Sequence, residues 1–159
     1  MAIPEKQLVT WSAQGPVPQS AATYATIKTT LEDANAPFHQ RDFTIFLQGS
    51  YGNDTNVVKD SDVDVVCRLD QTYYFDLDEL TPPAKEAFEK ARDPAKYGVN
   101  DFKKEVTAWL QKKFPGAVTP GKKAIFVKGS GSRRDADVLV CARMRRYMKA
   151  SNGVDDKYH

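Results

Sequence analysis

The chain has 159 residues, 41% of them hydrophobic and 28% charged, and a formal net charge of +2. These values fit one soluble globular domain and exclude a disordered polyelectrolyte; so small a net charge gives no reason to expect sequence-specific DNA binding. No apolar run approaches the ~20 residues that span a bilayer, and Met1 to Lys6 lack the basic start and apolar centre of a secretory signal, so a cytoplasmic location without a membrane partner is expected.

Residues 1–19, broken by Pro4, Gly15, Pro16 and Pro18, read as an extended arm, and residues 20–159 as the folded domain. From Ser20, an expected N-cap, the apolar positions Tyr24, Ile27, Leu31 and Ala34 recur at helical spacing until Pro37. Arg41 and Asp42 then turn into a first strand over 43–48. That strand ends in Gln48-Gly49-Ser50. The connection Tyr51 to Ser61 is too polar for a strand, and Asp60 within it is read as a turn or cap residue rather than a ligand. Asp62-Val63-Asp64 opens a second strand, expected over 62–69.

Side chains alternate along a strand, so Asp62 and Asp64 share one face while Val63 and Val65 turn to the core. Two carboxylates so close repel unless a cation lies between them, and hard oxygen donors suit Mg²⁺, which keeps waters and phosphates in its shell. Gly49 lets the backbone approach a ligand, and Ser50 offers a hydroxyl and an amide. The pattern reads as a cradle for a metal-bound triphosphate.

Beyond Leu69, residues 70–80 read as an aromatic and acidic insertion in which Tyr73, Tyr74 and Phe75 anchor a surface loop in preference to stacking on bases. Thr81-Pro82-Pro83 starts a short helix through Ala91. A second helix, capped by Asn100 or Asp101, carries the stripe Phe102, Val106, Trp109, Leu110 and Phe114 and stops at Pro115-Gly116. Strands over 123–128 and 134–141 form an antiparallel hairpin about Gly129 to Ser132, where turn chemistry accounts for the second Gly-Ser pair. Arg133, Arg134, Arg143, Arg145, Arg146 and Lys149 crowd this end, as a solvated basic surface or as a seat for nucleotide phosphates. Cys67 and Cys141 read as buried thiols without a disulfide. Asp155 to His159 show neither a helix cap nor a strand pattern.

The order apolar-Gly-Ser, a gap, then Asp-x-Asp among apolar residues resembles the signature of polymerase-beta-like nucleotidyltransferases. Gln48-Gly-Ser-Tyr-Gly-Asn-Asp-Thr-Asn56 with Asp60-Ser-Asp-Val-Asp-Val-Val66 resembles one branch more closely: the CD-NTase family, bacterial cyclic-oligonucleotide synthases of anti-phage signalling. The resemblance runs from about Pro18 to the last residue. It implies an α+β fold, a mixed-sheet nucleotidyltransferase palm with flanking helices, apparently truncated before a helical C-terminal lobe. It further implies a third acid on a later strand. Asp135 and Asp137 share a face there; Asp137 matches the family's Ala-Asp-Val and lies deeper in the apolar run, whereas Asp135 is expected at the strand's entrance, solvated or paired with an arginine.

The expected site is therefore Asp62, Asp64 and Asp137 as catalytic and metal-binding residues, with Gln48, Gly49 and Ser50 binding nucleotide. The expected cofactor is two Mg²⁺ ions, with Mn²⁺ as an alternative, and the expected partners are nucleoside triphosphates together with the missing lobe or a regulatory protein. Three functions stay open: a cyclic di- or oligonucleotide synthase, another minimal nucleotidyltransferase acting on RNA or protein, and a catalytically weak nucleotide-binding module.

Overall fold

The computed structural model describes residues 17–48, 62–150 and 153–158. In chain order the elements are α1 (Val17–Leu31), β1 (Phe43–Leu47), β2 (Val63–Asp76), α2 (Pro82–Ala91), α3 (Val99–Lys113), β3 (Val118–Pro120), β4 (Ala124–Val127), β5 (Ala136–Ala150) and β6 (Gly153–Tyr158). The sheet order is β1-β2-β5-β4-β3, with β6 added antiparallel to the far half of β5. At its centre β2 and β5 run parallel, while β1 on β2 and β4 on β5 run antiparallel, so the sheet is mixed as expected. The expected hairpin of β4 and β5 is present, and β3 is an added edge strand of three residues.

The core lies on one face of this sheet. Val63, Val65, Cys67 and Leu69 of β2 alternate into it beside Ala136 and Val138 of β5, Ile45 of β1, and Ile125 and Val127 of β4. From the other side α1 supplies Ile27 and Leu31, and α3 supplies Phe102, Val106, Trp109 and Leu110, all buried. Phe38 sits edge-on to Phe102 at 5.4 Å between ring centroids and to Phe43 at 5.6 Å, the geometry that aromatic quadrupoles favour. Trp109 is a core residue, as its place in the stripe implied, and its indole N–H donates to Thr30 O at 2.8 Å.

Several boundaries differ from expectation for identifiable reasons. The first helix is already formed at Val17, so Pro18 and Gln19 belong to it rather than to an arm, and Ser20 is a buried helical residue, not an N-cap. Gly98 caps α3 instead of Asn100 or Asp101; the Asp101 carboxylate reaches back to accept the Gly98 N–H at 3.1 Å, half of a capping box. Residues 70–76 are not a surface loop. They continue β2, which bulges between Leu69 and Tyr73 and then pairs again, Tyr73 with Arg143 through Asp76 with Arg146. β5 likewise runs on to Ala150 and pairs with Gly153–Tyr158, so residues 155–158, expected to lack a strand, lie in one. On this extension α2 lies against the face opposite the core, where Phe88 stacks between Phe75 and Tyr147 at 4.9 Å from each, so the helices do not all share one face.

Candidate active site

The parallel register sets Asp64 directly beside Asp137 on the neighbouring strand. In-register neighbours present their side chains on the same face, so the two carboxylates stand together on the face away from the core, with Asp62 one step earlier on the same side. Their backbones are tied where the strands begin: the Val63 N–H donates to Asp135 O and the Gln48 N–H to Asp64 O, both at 3.0 Å. Thus the end of β1 and the starts of β2 and β5 meet at one end of the sheet. Gln48 is exposed at that corner. Gly49 and Ser50, expected to cradle phosphates, lie outside the described residues, as do Asp60 and the rest of the connection.

Among the described residues the charge at this corner is predominantly negative. Partial burial, then repulsion from Asp137 and Asp62, pushes the Asp64 carboxyl above its ordinary pKa. Asp62 is pushed up by burial and by Asp135 and Asp137, and Arg134 offsets only part of that. Acids raised by one another, with only Arg134 opposing them among the described residues, mark a place where a cation is favoured. Three oxygen-donor carboxylates on one face fit a hard divalent ion such as Mg²⁺. Among the described residues no three acidic, histidine or cysteine side chains are already drawn around a single ion position; the aspartates share the face without converging.

Asp135 has another task. Its Oδ1 accepts the Gly129 N–H at 2.5 Å, fastening the β4–β5 loop. A Cβ on Gly129 would stand 2.5 Å from Arg133 O, closer than real side chains come, which explains a glycine there. With Asp135 occupied, Asp137 is the acid of the pair left to face Asp64. Sequence reasoning missed Thr23, which is fully buried. Its hydroxyl donates to Gln19 O at 2.9 Å and accepts the Arg134 N–H at 2.8 Å, pinning α1 to the lead-in of β5. A threonine on the apolar side of a helix was the available signal. Cys67 and Cys141 are free thiols, facing opposite sides of adjacent strands, and burial pushes the Cys67 thiol up to about 12.

A mixed palm that carries paired aspartates on adjacent central strands is the architecture of nucleotidyl transfer. A family model described as a nucleotidyltransferase domain matches residues 27–156, and the chain belongs to that family. It is similar to a cyclic dipurine nucleotide synthase of Elizabethkingia meningoseptica, 34% identical over 143 residues, which are 90% of this chain and 49% of that protein. A cyclic UMP-AMP synthase of Rhodothermus marinus is 33% identical over 157 residues, 98% of this chain and 51% of that protein. The solved structure of a Rhodothermus marinus c-UMP-AMP synthase with Apcpp and Upnpp matches with a TM-score of 0.75 at 31% identity, over 98% of this chain and 51% of that one. These relatives bear out the resemblance carried by the Gly-Ser and Asp-x-Asp motifs. The chain spans about half the length of the curated relatives it matches.

Proposed function

We propose that this chain is the nucleotide- and metal-binding palm of a synthase that joins nucleoside triphosphates into a cyclic di- or oligonucleotide messenger, releasing pyrophosphate, in bacterial anti-phage signalling in the cytoplasm. The observation that carries this reading is the in-register pair Asp64 and Asp137, with Asp62 beside them and, among the described residues, only Arg134 offsetting part of the mutual repulsion. Similarity to cyclic nucleotide synthases along nearly the whole chain supports it.

Asp62, Asp64 and Asp137 would hold two Mg²⁺ ions, with Mn²⁺ as a substitute. When bound, such ions neutralise triphosphate charge and acidify a ribose hydroxyl. Gly49 and Ser50, with Gln48 beside them, would position the phosphates of the donor nucleotide. Asp137, on the central strand next to Asp64, would orient the acceptor hydroxyl and take its proton at a carboxylate oxygen. The hydroxyl oxygen bonds to the α phosphorus as the bond to the bridging oxygen breaks, and the electron pair leaves with pyrophosphate. Rate enhancement comes from positioning and from charge neutralisation.

The test is pyrophosphate release from mixed nucleoside triphosphates with Mg²⁺, with mass spectrometry of phosphatase-treated products. A cyclic product keeps all its phosphates. Asp62→Ala combined with Asp64→Ala should lower turnover by roughly 10³-fold or more without unfolding the chain; a double variant that turns over at the parent rate would refute the site.

A further inference from the structure

Away from Asp62, Asp64 and Asp137, a densely bonded polar cluster among the described residues sits at the bulge of β2. The Asp70 side chain is only 4% exposed. Its Oδ2 accepts the Thr44 hydroxyl at 2.5 Å, and its Oδ1 accepts both Arg68 Nε and Arg143 Nε at 2.7 Å. One carboxylate balances one guanidinium, so two arginines on one acid leave a surplus positive charge. Neither arginine forms an ion pair with any other acid among the described residues.

Both guanidinium groups are anchored through Nε, and their side chains remain 31% and 45% exposed. Anchoring at Nε fixes each plane and leaves the terminal nitrogens as a preorganised fork, the arrangement that suits phosphate oxygens. Thr44, Arg68 and Arg143 keep the alternation of Asp64 and Asp137, so the forks lie on the same sheet face as the carboxylates. Arg68 follows Asp64 by four residues of β2, about 13 Å along a strand.

The geometry points to the Arg68–Arg143 pair as the seat of the 5′ polyphosphate of the acceptor nucleotide, the molecule whose hydroxyl attacks. This rests on the function proposed above. The donor's phosphates belong at the aspartates, and the acceptor must bring its hydroxyl to the same point. Its own phosphates then lie across the ribose, where carboxylates would repel them and a net cationic pair would hold them. A simple fastening of the bulge accounts for Asp70 and one arginine, and leaves the second unexplained.

Inorganic tripolyphosphate titrated calorimetrically into the whole chain in EDTA tests this without metal or turnover. Binding should be weakened at least tenfold in Arg143→Gln. It should be unchanged in Arg146→Gln, whose arginine is paired with Asp76 on the opposite face. Binding should persist when Asp62 and Asp64 are both changed to Asn, and orthophosphate should bind at least tenfold more weakly than tripolyphosphate. Should Arg143→Gln unfold, Arg143→Lys keeps the charge but loses the fork and should bind several-fold more weakly than the parent. Parent-like affinity in the folded Arg143 variant, equal loss in Arg146→Gln, orthophosphate binding as tight as tripolyphosphate, or no binding to the parent chain would each overturn the assignment. Tripolyphosphate binding that behaves as expected in a chain making no cyclic product would leave the polyphosphate seat standing and remove the synthase reading instead.

Discussion

A carboxylate whose charged neighbours among the described residues are carboxylates is costly to keep ionised, and this sets what the proposed role of Asp64 predicts with and without metal. Its pKa is raised in the folded chain, first by burial and then by Asp137 and Asp62, so the native state binds more protons than the unfolded state between the ordinary and the raised value. Stability therefore falls as pH rises through that window, and the full penalty is present above the raised value. Asp64→Asn removes it, and in EDTA at neutral pH the variant should melt above the parent chain. Saturating Mg²⁺ should reverse the order: a ligand at ~100 times its Kd adds about 2.7 kcal/mol, a rise of roughly 5 °C or more for the parent and little for the variant. Thermal melts with and without Mg²⁺ decide it; a variant less stable than the parent in EDTA would mean that the aspartates are structurally paired rather than held apart for an ion.

At the level of elements, the site is positioned by contacts that belong to packing. Thr23→Val leaves the Arg134 N–H without its acceptor, which should cost about 1–3 kcal/mol in urea unfolding and loosen the start of β5 that carries Asp137. Phe102→Ala removes the ring shared by Phe38 and Phe43 and should cost about 3–5 kcal/mol. Phe102 was readable as core because α3 repeats apolar residues at helical spacing, and Asp62, Asp64 and Asp137 stood out because carboxylates interrupt apolar strands. The run from Asp70 to Asp76 was not readable. Its charges and aromatics imitate a loop, and what makes it a strand is pairing with Arg143 to Arg146 about 70 residues away, a contact with no local signature. Ser20 misled for a related reason: it has the chemistry of a cap, but the helix had already begun. The Asp70 cluster was invisible because its members come from three strands and meet only once the bulge forms.

For the whole molecule, opposed electrostatics predict how the chain responds to acid. Burial pushes the Asp70 carboxyl upward, yet hydrogen bonds from Thr44, Arg68 and Arg143 outweigh it and hold the group below its ordinary pKa; Asp33, bonded to Lys113, is held at about 2. Groups depressed in this way contribute stability above the unfolded pKa and lose it as pH falls through the folded value. Asp62 and Asp64 have the opposite sign and gain protons first. Metal-free stability should accordingly rise slightly on mild acidification, as the aspartate corner loses its repulsion, and then fall below the ordinary carboxylate range as the bulge comes apart. Asp70→Asn isolates the second limb. At neutral pH it leaves two partly exposed arginines without a counter-charge and should cost about 1–3 kcal/mol, a gap that closes toward acid pH because the parent loses the same carboxylate by protonation. Urea unfolding of parent and D70N across the acid range measures that gap directly: one that stays constant with pH would show that the Asp70 charge does not join β1, β2 and β5, and the arginine forks would then lack the fixed anchor on which their phosphate geometry depends.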